Sequence, residues 1–136
     1  MEVIMKDEYY AKLGIFSSIL KPDEIDNILN IDCDKSYLKN ELRGKTLIRE
    51  KENGWIIYSR ISRDLPINNH IEDILERISL VIDKINDIAN KPDTEVELGC
   101  IIHSTEEPPV YFTKEQISII GKIGASIDID LYYWQK

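Results

Sequence analysis

The chain has 136 residues, 43% hydrophobic and 31% charged, with 6 Gly, 5 Pro and 2 Cys. That length suits one α+β domain over 1–136, and the composition excludes a disulfide scaffold, a collagen-like chain, a disordered chain and a membrane span. Lys plus Arg is 17 against 25 Asp plus Glu, a net charge of −8, which disfavours nucleic acid and anionic lipid and suits a basic partner.

Tyr9 to Ser17 alternates, with Tyr9, Ala11, Leu13 and Ile15 on one face, and predicts a strand. Pro22, Asp23 and Glu24 then open a short helix that ends near Asn30, with Ile25, Ile28 and Leu29 as its apolar stripe. Residues 31–53 read as a long loop with one short extended piece at 46–49. Within it, Lys35, Lys39, Arg43, Lys45, Arg49 and Lys51 stand against Glu41 and Glu50, so the segment is locally basic in an acidic chain.

Gly54 to Ser62 predicts a second strand, apolar on both faces and therefore central. Asn69 with Glu72 makes a capping box for one long helix. Its stripe runs Ile71, Ile74, Leu75, Ile78, Val81, Ile82, Ile85 and Ile88, at helical spacing throughout. His70 reads as a surface neighbour of that cap. Thr94 to Ser104 predicts the third strand, with Val96, Leu98, Cys100 and Ile102 on one face and Glu97, Gly99, Ile101 and His103 on the other.

Glu106-Glu107-Pro108-Pro109 is a turn, followed by a short extended piece at 110–112. Thr113 and Gln116 cap a third helix that Gly124 ends. Ala125 to Trp134 closes the chain as a strand, with Ala125, Ile127, Ile129, Leu131 and Tyr133 toward the core and Ser126, Asp128, Asp130, Tyr132 and Trp134 away from it. The order β-α-β-α-β-α-β implies a two-layer α+β sandwich, one mixed or mainly antiparallel sheet with helices on one face, loosely ferredoxin-like.

The chain carries no phosphate-binding loop, dinucleotide fingerprint, zinc-protease helix or nucleophile elbow. No catalytic residue, metal ligand or cofactor is expected from these patterns. Cys33 and Cys100 lack metal-type spacing, and no secretory leader is evident, so a cytoplasmic address with reduced thiols is expected. Asp128 and Asp130, two residues apart in a strand, share a face with Tyr132 and Trp134, and acids beside aromatics suit recognition of a basic protein. Glu97 and His103 join that face if their strand pairs with the last one.

A pattern spread over residues 9–134 resembles the bacterial proteins grouped as domain of unknown function 4279. It rests on Pro22-Asp23-Glu24-Ile25, Gly54-Trp55, His70 to Leu75, Glu97-Leu98-Gly99-Cys100, Phe112 to Glu115 and Ile123 to Tyr132. Residues 30–53, with one glycine and no proline, depart from it. The resemblance brings no catalytic residues. It invites the reading of a small acidic immunity-like or accessory protein.

The sequence thus puts forward a non-enzymatic cytoplasmic binding protein that occludes a basic protein through Asp128, Asp130, Tyr132, Trp134, Glu97 and His103. A second reading is a small-anion binder or uncharacterised enzyme with a pocket at the basic loop, using Arg43, Lys45, Arg49 and Arg60. A third is a homo-oligomeric structural protein, most simply a homodimer, with the outer sheet face as its interface.

Overall fold

The computed structural model describes residues 6–134, and the ends of the 1–136 domain read from the sequence lie outside the described residues. Alternation makes Glu8–Ser17 the first strand, β1, and sends Ala11, Leu13 and Ile15 to its buried face. Helix α1, Pro22–Leu29, follows with proline at its first position. Glu24 Oε1 accepts the Lys21 amide at 3.1 Å, and Asn30 closes the helix at φ 54°.

The next strands are β2, Lys35–Tyr37, and β3, Asn53–Tyr58. Helices α2, Ile67–Arg77, and α3, Ile82–Ala89, lead to β4, Thr94–Ser104. Helix α4, Lys114–Lys122, is a crossover that brings β5, Ala125–Tyr133, parallel to β4. The sheet runs β2-β3-β1-β4-β5 and is otherwise antiparallel, so it is an open mixed sheet. The fold is α+β.

The helices bury one face of this sheet. Leu13, Ile15, Trp55, Ile57, Leu98 and Cys100 meet Ile25, Ile71, Ile74, Ile85, Ile88 and Ile120 in one core. Trp55 is fully buried, and its indole N–H donates to Asp26 Oδ1 at 2.7 Å, which ties α1 to β3. Burial pushes the Cys100 thiol up to about 12, so it packs as a small core side chain.

Four readings of the sequence need correction. The long helix is two. The amides of Ser79 and Val81 bond three residues back, to Glu76 and Ile78, and the chain turns there. Leu80 is 96% exposed at the turn while Ile78 is buried, so the apolar spacing runs through the break without marking it. The helix start also moves: Asn69 lies inside α2, and Glu72 accepts from Gln116 Nε2 at 2.8 Å instead of closing a capping box.

Residues 31–53 contain a strand, β2, and a bridge from Leu42 to Arg49. Their pairing partners lie on β3 and across the loop, so no local alternation announces them. His70 is buried, with its Nδ1 2.7 Å from Ser59 Oγ. Ser59 Oγ also accepts the Ala11 amide at 3.0 Å, so the His70–Ser59 hydrogen bond ties α2 to the sheet. Burial holds the His70 pKa below the usual imidazole value, opposed by the Leu65 and Ser62 main chain. Fourth, the aliphatic row of β5 faces the helix side but is not covered: Ile127 is 41%, Ile129 45%, Leu131 54% and Tyr133 54% exposed. β5 is an edge strand: α4 packs beside it and Ala125 joins the core, but the rest of the row stays half exposed.

Ile74→Ala, in the fully buried stripe of α2, should lower unfolding free energy by about 2–5 kcal/mol. Leu80→Ala should change it by no more than about 0.5 kcal/mol. Urea unfolding followed by circular dichroism compares the two. Equal losses would contradict the turn at 78–81.

Candidate functional site

The helix-free face of the sheet holds the polar groups. In the parallel β4–β5 register, Glu97 lies beside Ser126, Gly99 beside Asp128, Ile101 beside Asp130 and His103 beside Tyr132. Paired residues point to one side, so Glu97, His103, Asp128, Asp130 and Tyr132 share this face. The Tyr132 ring stacks on His103 with centroids 4.5 Å apart and planes 10° apart. Trp134 tilts against the same imidazole at 5.5 Å, and its amide donates to the Ser104 carbonyl at 3.2 Å. Among the described residues the Trp134 indole N–H finds no acceptor.

Ion pairing does not quench these acids. Among the described residues no cation lies within ion-pair distance of Glu97, Asp128 or Asp130. Partial burial raises the Glu97 pKa above the usual carboxyl value; Asp128, Asp130 and Glu95 push the same way, and Lys12 opposes them.

The aromatic band continues onto neighbouring strands. Tyr10 of β1 meets Tyr58 of β3 edge to face at 6.0 Å, and the Arg63 guanidinium caps Tyr10 at 4.3 Å. Sequence reasoning missed Tyr10, Tyr58 and Arg63 as site residues. Alternation shows each tyrosine pointing away from the core, but only the β1–β3 register makes them neighbours.

The basic segment forms a wall over the other half of this face. The Arg43 amide bonds the Ile48 carbonyl, and the Glu50 amide bonds the Glu41 carbonyl, both at 2.8 Å. Arg43 grips Glu50 with two hydrogen bonds, of 2.9 and 3.3 Å. Those bonds hold the Glu50 carboxyl below its ordinary value, against the effect of burial. Between this wall and the sheet lies a cavity of about 380 Å³, lined by Lys12, Phe16, Lys35, Tyr37, Leu42, Arg43, Gly44, Glu50 and Ile56.

Two glycines shape the floor. A Cβ on Gly14 would stand 2.6 Å from the Phe16 ring, and one on Gly54 would collide with the Tyr37 ring, so both rings lie flat on the sheet. Of the four cations put forward from sequence, only Arg43 lines the cavity. Lys45 is exposed in the loop, Arg49 donates to the Asn40 carbonyl at 2.8 Å, and Arg60 reaches Asp34 at 3.3 Å. Lys12 and Lys35 take their places. Lys12 is visible as an outward residue of β1; Lys35 sits on a strand the sequence does not announce.

The family model described as Domain of unknown function (DUF4279) matches residues 7–134. The chain belongs to this family. No curated protein and no solved structure matches it. In this DUF4279 chain the residues that carry the pattern are largely structural. Gly54 accepts the Tyr37 ring, Trp55 fills the core, and Thr113 caps α4, its Oγ1 accepting the Gln116 amide at 3.1 Å. No helix among its described residues is long and apolar enough to cross a membrane.

The raised Glu97 pKa fixes the sign of a pH effect. The protonated carboxyl is favoured by folding, so stability is fully present below the unfolded-state value and declines as pH rises through the folded one. Glu97→Gln should therefore raise the thermal midpoint at pH 7, and the gain should vanish toward pH 4. A gain of equal size at both pH values would rule out the shift.

Proposed function

We propose that this DUF4279 chain is a non-enzymatic cytoplasmic binding protein of bacterial immunity or accessory type that occludes a basic protein. One observation carries the reading. The β4–β5 register places Glu97, Asp128 and Asp130, which have no ion-pair partner among the described residues, beside the His103–Tyr132–Trp134 ring cluster on a sheet face that no helix covers. Clustered carboxylates attract a basic surface over a Debye length and speed encounter. The rings supply rigid area whose burial holds the complex once formed. Occlusion is then steric: a flat sheet face seats over the partner's basic surface.

The test is affinity capture from the native cell with the tagged chain, beside Asp128→Asn/Asp130→Asn. The wild-type chain should retain a basic protein, release it with salt, and lose about tenfold or more in affinity in the double variant, on the scale of roughly 1.4 kcal/mol per tenfold. Equal retention of that protein by both chains would remove the aspartates from the interface.

The cavity supports a second reading, a site for a small anion with an apolar body. Lys12, Lys35 and Arg43 bring three cations against the single carboxylate of Glu50, and Phe16, Tyr37 and Ile56 offer an apolar floor. Lysine donors suit a carboxylate or phosphate as point charges. In an NMR titration, benzoate should shift the Lys12, Lys35 and Tyr37 amides at millimolar concentration, and Lys12→Met/Lys35→Met should abolish the shifts. Benzoate that moves no cavity amide would dismiss this reading.

A further inference from the structure

β5 ends the sheet with one whole backbone edge unpaired among the described residues. It is nine residues long, contains no Pro, Lys or Arg, and pairs with β4 without a bulge. Prolines, basic residues and bulges ordinarily blunt a sheet edge, and β5 has in their place only the charges of Asp128 and Asp130. The opposite edge is different. β2 has only three residues and is followed by the basic loop.

On its helix side β5 carries Ile127, Ile129, Leu131 and Tyr133, each between 41% and 54% exposed. Together they leave on the order of 300 Å² of contiguous apolar surface, a patch size that is often functional on a monomer. A free ladder bordered by an apolar row fits one kind of partner well: another strand with the same alternation, apolar on the same side.

We infer that β5 pairs antiparallel with β5 of a second copy of this chain, about a two-fold axis at Leu131. The charges choose the register. With both helix layers on one side, residues opposite each other share a face. An axis at Ile129 would set Asp128 against the partner subunit's Asp130, twice. An axis at either aspartate would set that residue against its own copy. Like charges directly opposite are destabilising.

The axis at Leu131 instead sets Asp130 against the partner subunit's Tyr132 and Asp128 against the partner subunit's Trp134. It stacks Leu131 on its own copy and Ile129 on the partner subunit's Tyr133, so the most exposed apolar residues are covered. Ile129, Leu131 and Tyr133 of both copies and the ladder between them make a small interface, below the standard size of roughly 1,200–2,000 Å². A head-to-tail joint between β5 and β2 has three ladder residues to offer and would build an open chain rather than a closed dimer. This interface is the strand edge, not the outer sheet face, and it stands whether or not the acidic face binds a basic protein.

Sedimentation equilibrium of the full chain at micromolar concentration tests it. The wild-type chain should run at twice its 15.8 kDa mass. Leu131→Lys should run as a monomer with an unchanged circular dichroism spectrum, and Leu80→Lys, at a residue exposed on the far turn, should stay dimeric. Leu131→Cys should form a covalent dimer under mild oxidation, because a residue on the axis faces itself at roughly 4.5–5.5 Å between Cβ atoms. A monomeric wild-type chain, a dimer that survives Leu131→Lys, an assembly larger than a dimer, or a dimer that Leu131→Cys does not cross-link would each overturn the proposal.

Discussion

The antiparallel ladder between β1 and β4 runs from Glu8 opposite His103 to Ser17 opposite Thr94, ten residues long, and it fixes the face of every side chain in the sheet. Side chains alternate with a period of two, so a slip of one residue would invert a strand. Here the ladder matches Leu13 with Leu98 and Ala11 with Cys100 on the helix side, and Lys12 with Gly99 on the other. The apolar matches are what hold the register, because a slip would move them into water. The polar face inherits its order from that constraint.

That order produces a face divided by charge. Toward β5 the acids stand beside stacked rings. Toward β2 the lysines and Arg43 stand around an apolar floor. Lys12 is the hinge between the halves, since it lines the cavity and also moderates the charge on Glu97. A chain with net charge −8 thus keeps a local cationic cavity, and the Arg43–Glu50 pair fixes the cavity wall in place. The cavity lies at the other end of this face from the acids, while the acidic face and the β5 edge adjoin along Asp128, Asp130 and Tyr132.

How much was legible varies element by element. β4 was readable to the residue and α4 at its start, because β4 alternates between a buried and an outer face and α4 opens on a hydroxyl that caps its own first turn. The shared face of Asp128, Asp130 and Tyr132 follows from period two alone. The α2–α3 turn was hidden, since both helices pack on the same sheet and keep one apolar spacing across the break. His70 was misplaced for a similar reason: its partner, Ser59, directly follows β3, and nothing local to α2 signals that contact.

By itself the sequence determined an α+β chain, the inward side of β1, β4 and β5, and the shared face of the closing strand's acids, because periodicity and charge are local properties. Only the tertiary structure decided that β5 lies parallel to β4 at an edge, that Lys12 and Lys35 replace Lys45, Arg49 and Arg60 around the cavity, and that the aliphatic row of β5 stays uncovered. Those outcomes depend on which strands are neighbours and how far the helix layer reaches. Neighbour choice is settled by packing between residues far apart in the chain, and alternation carries no record of it.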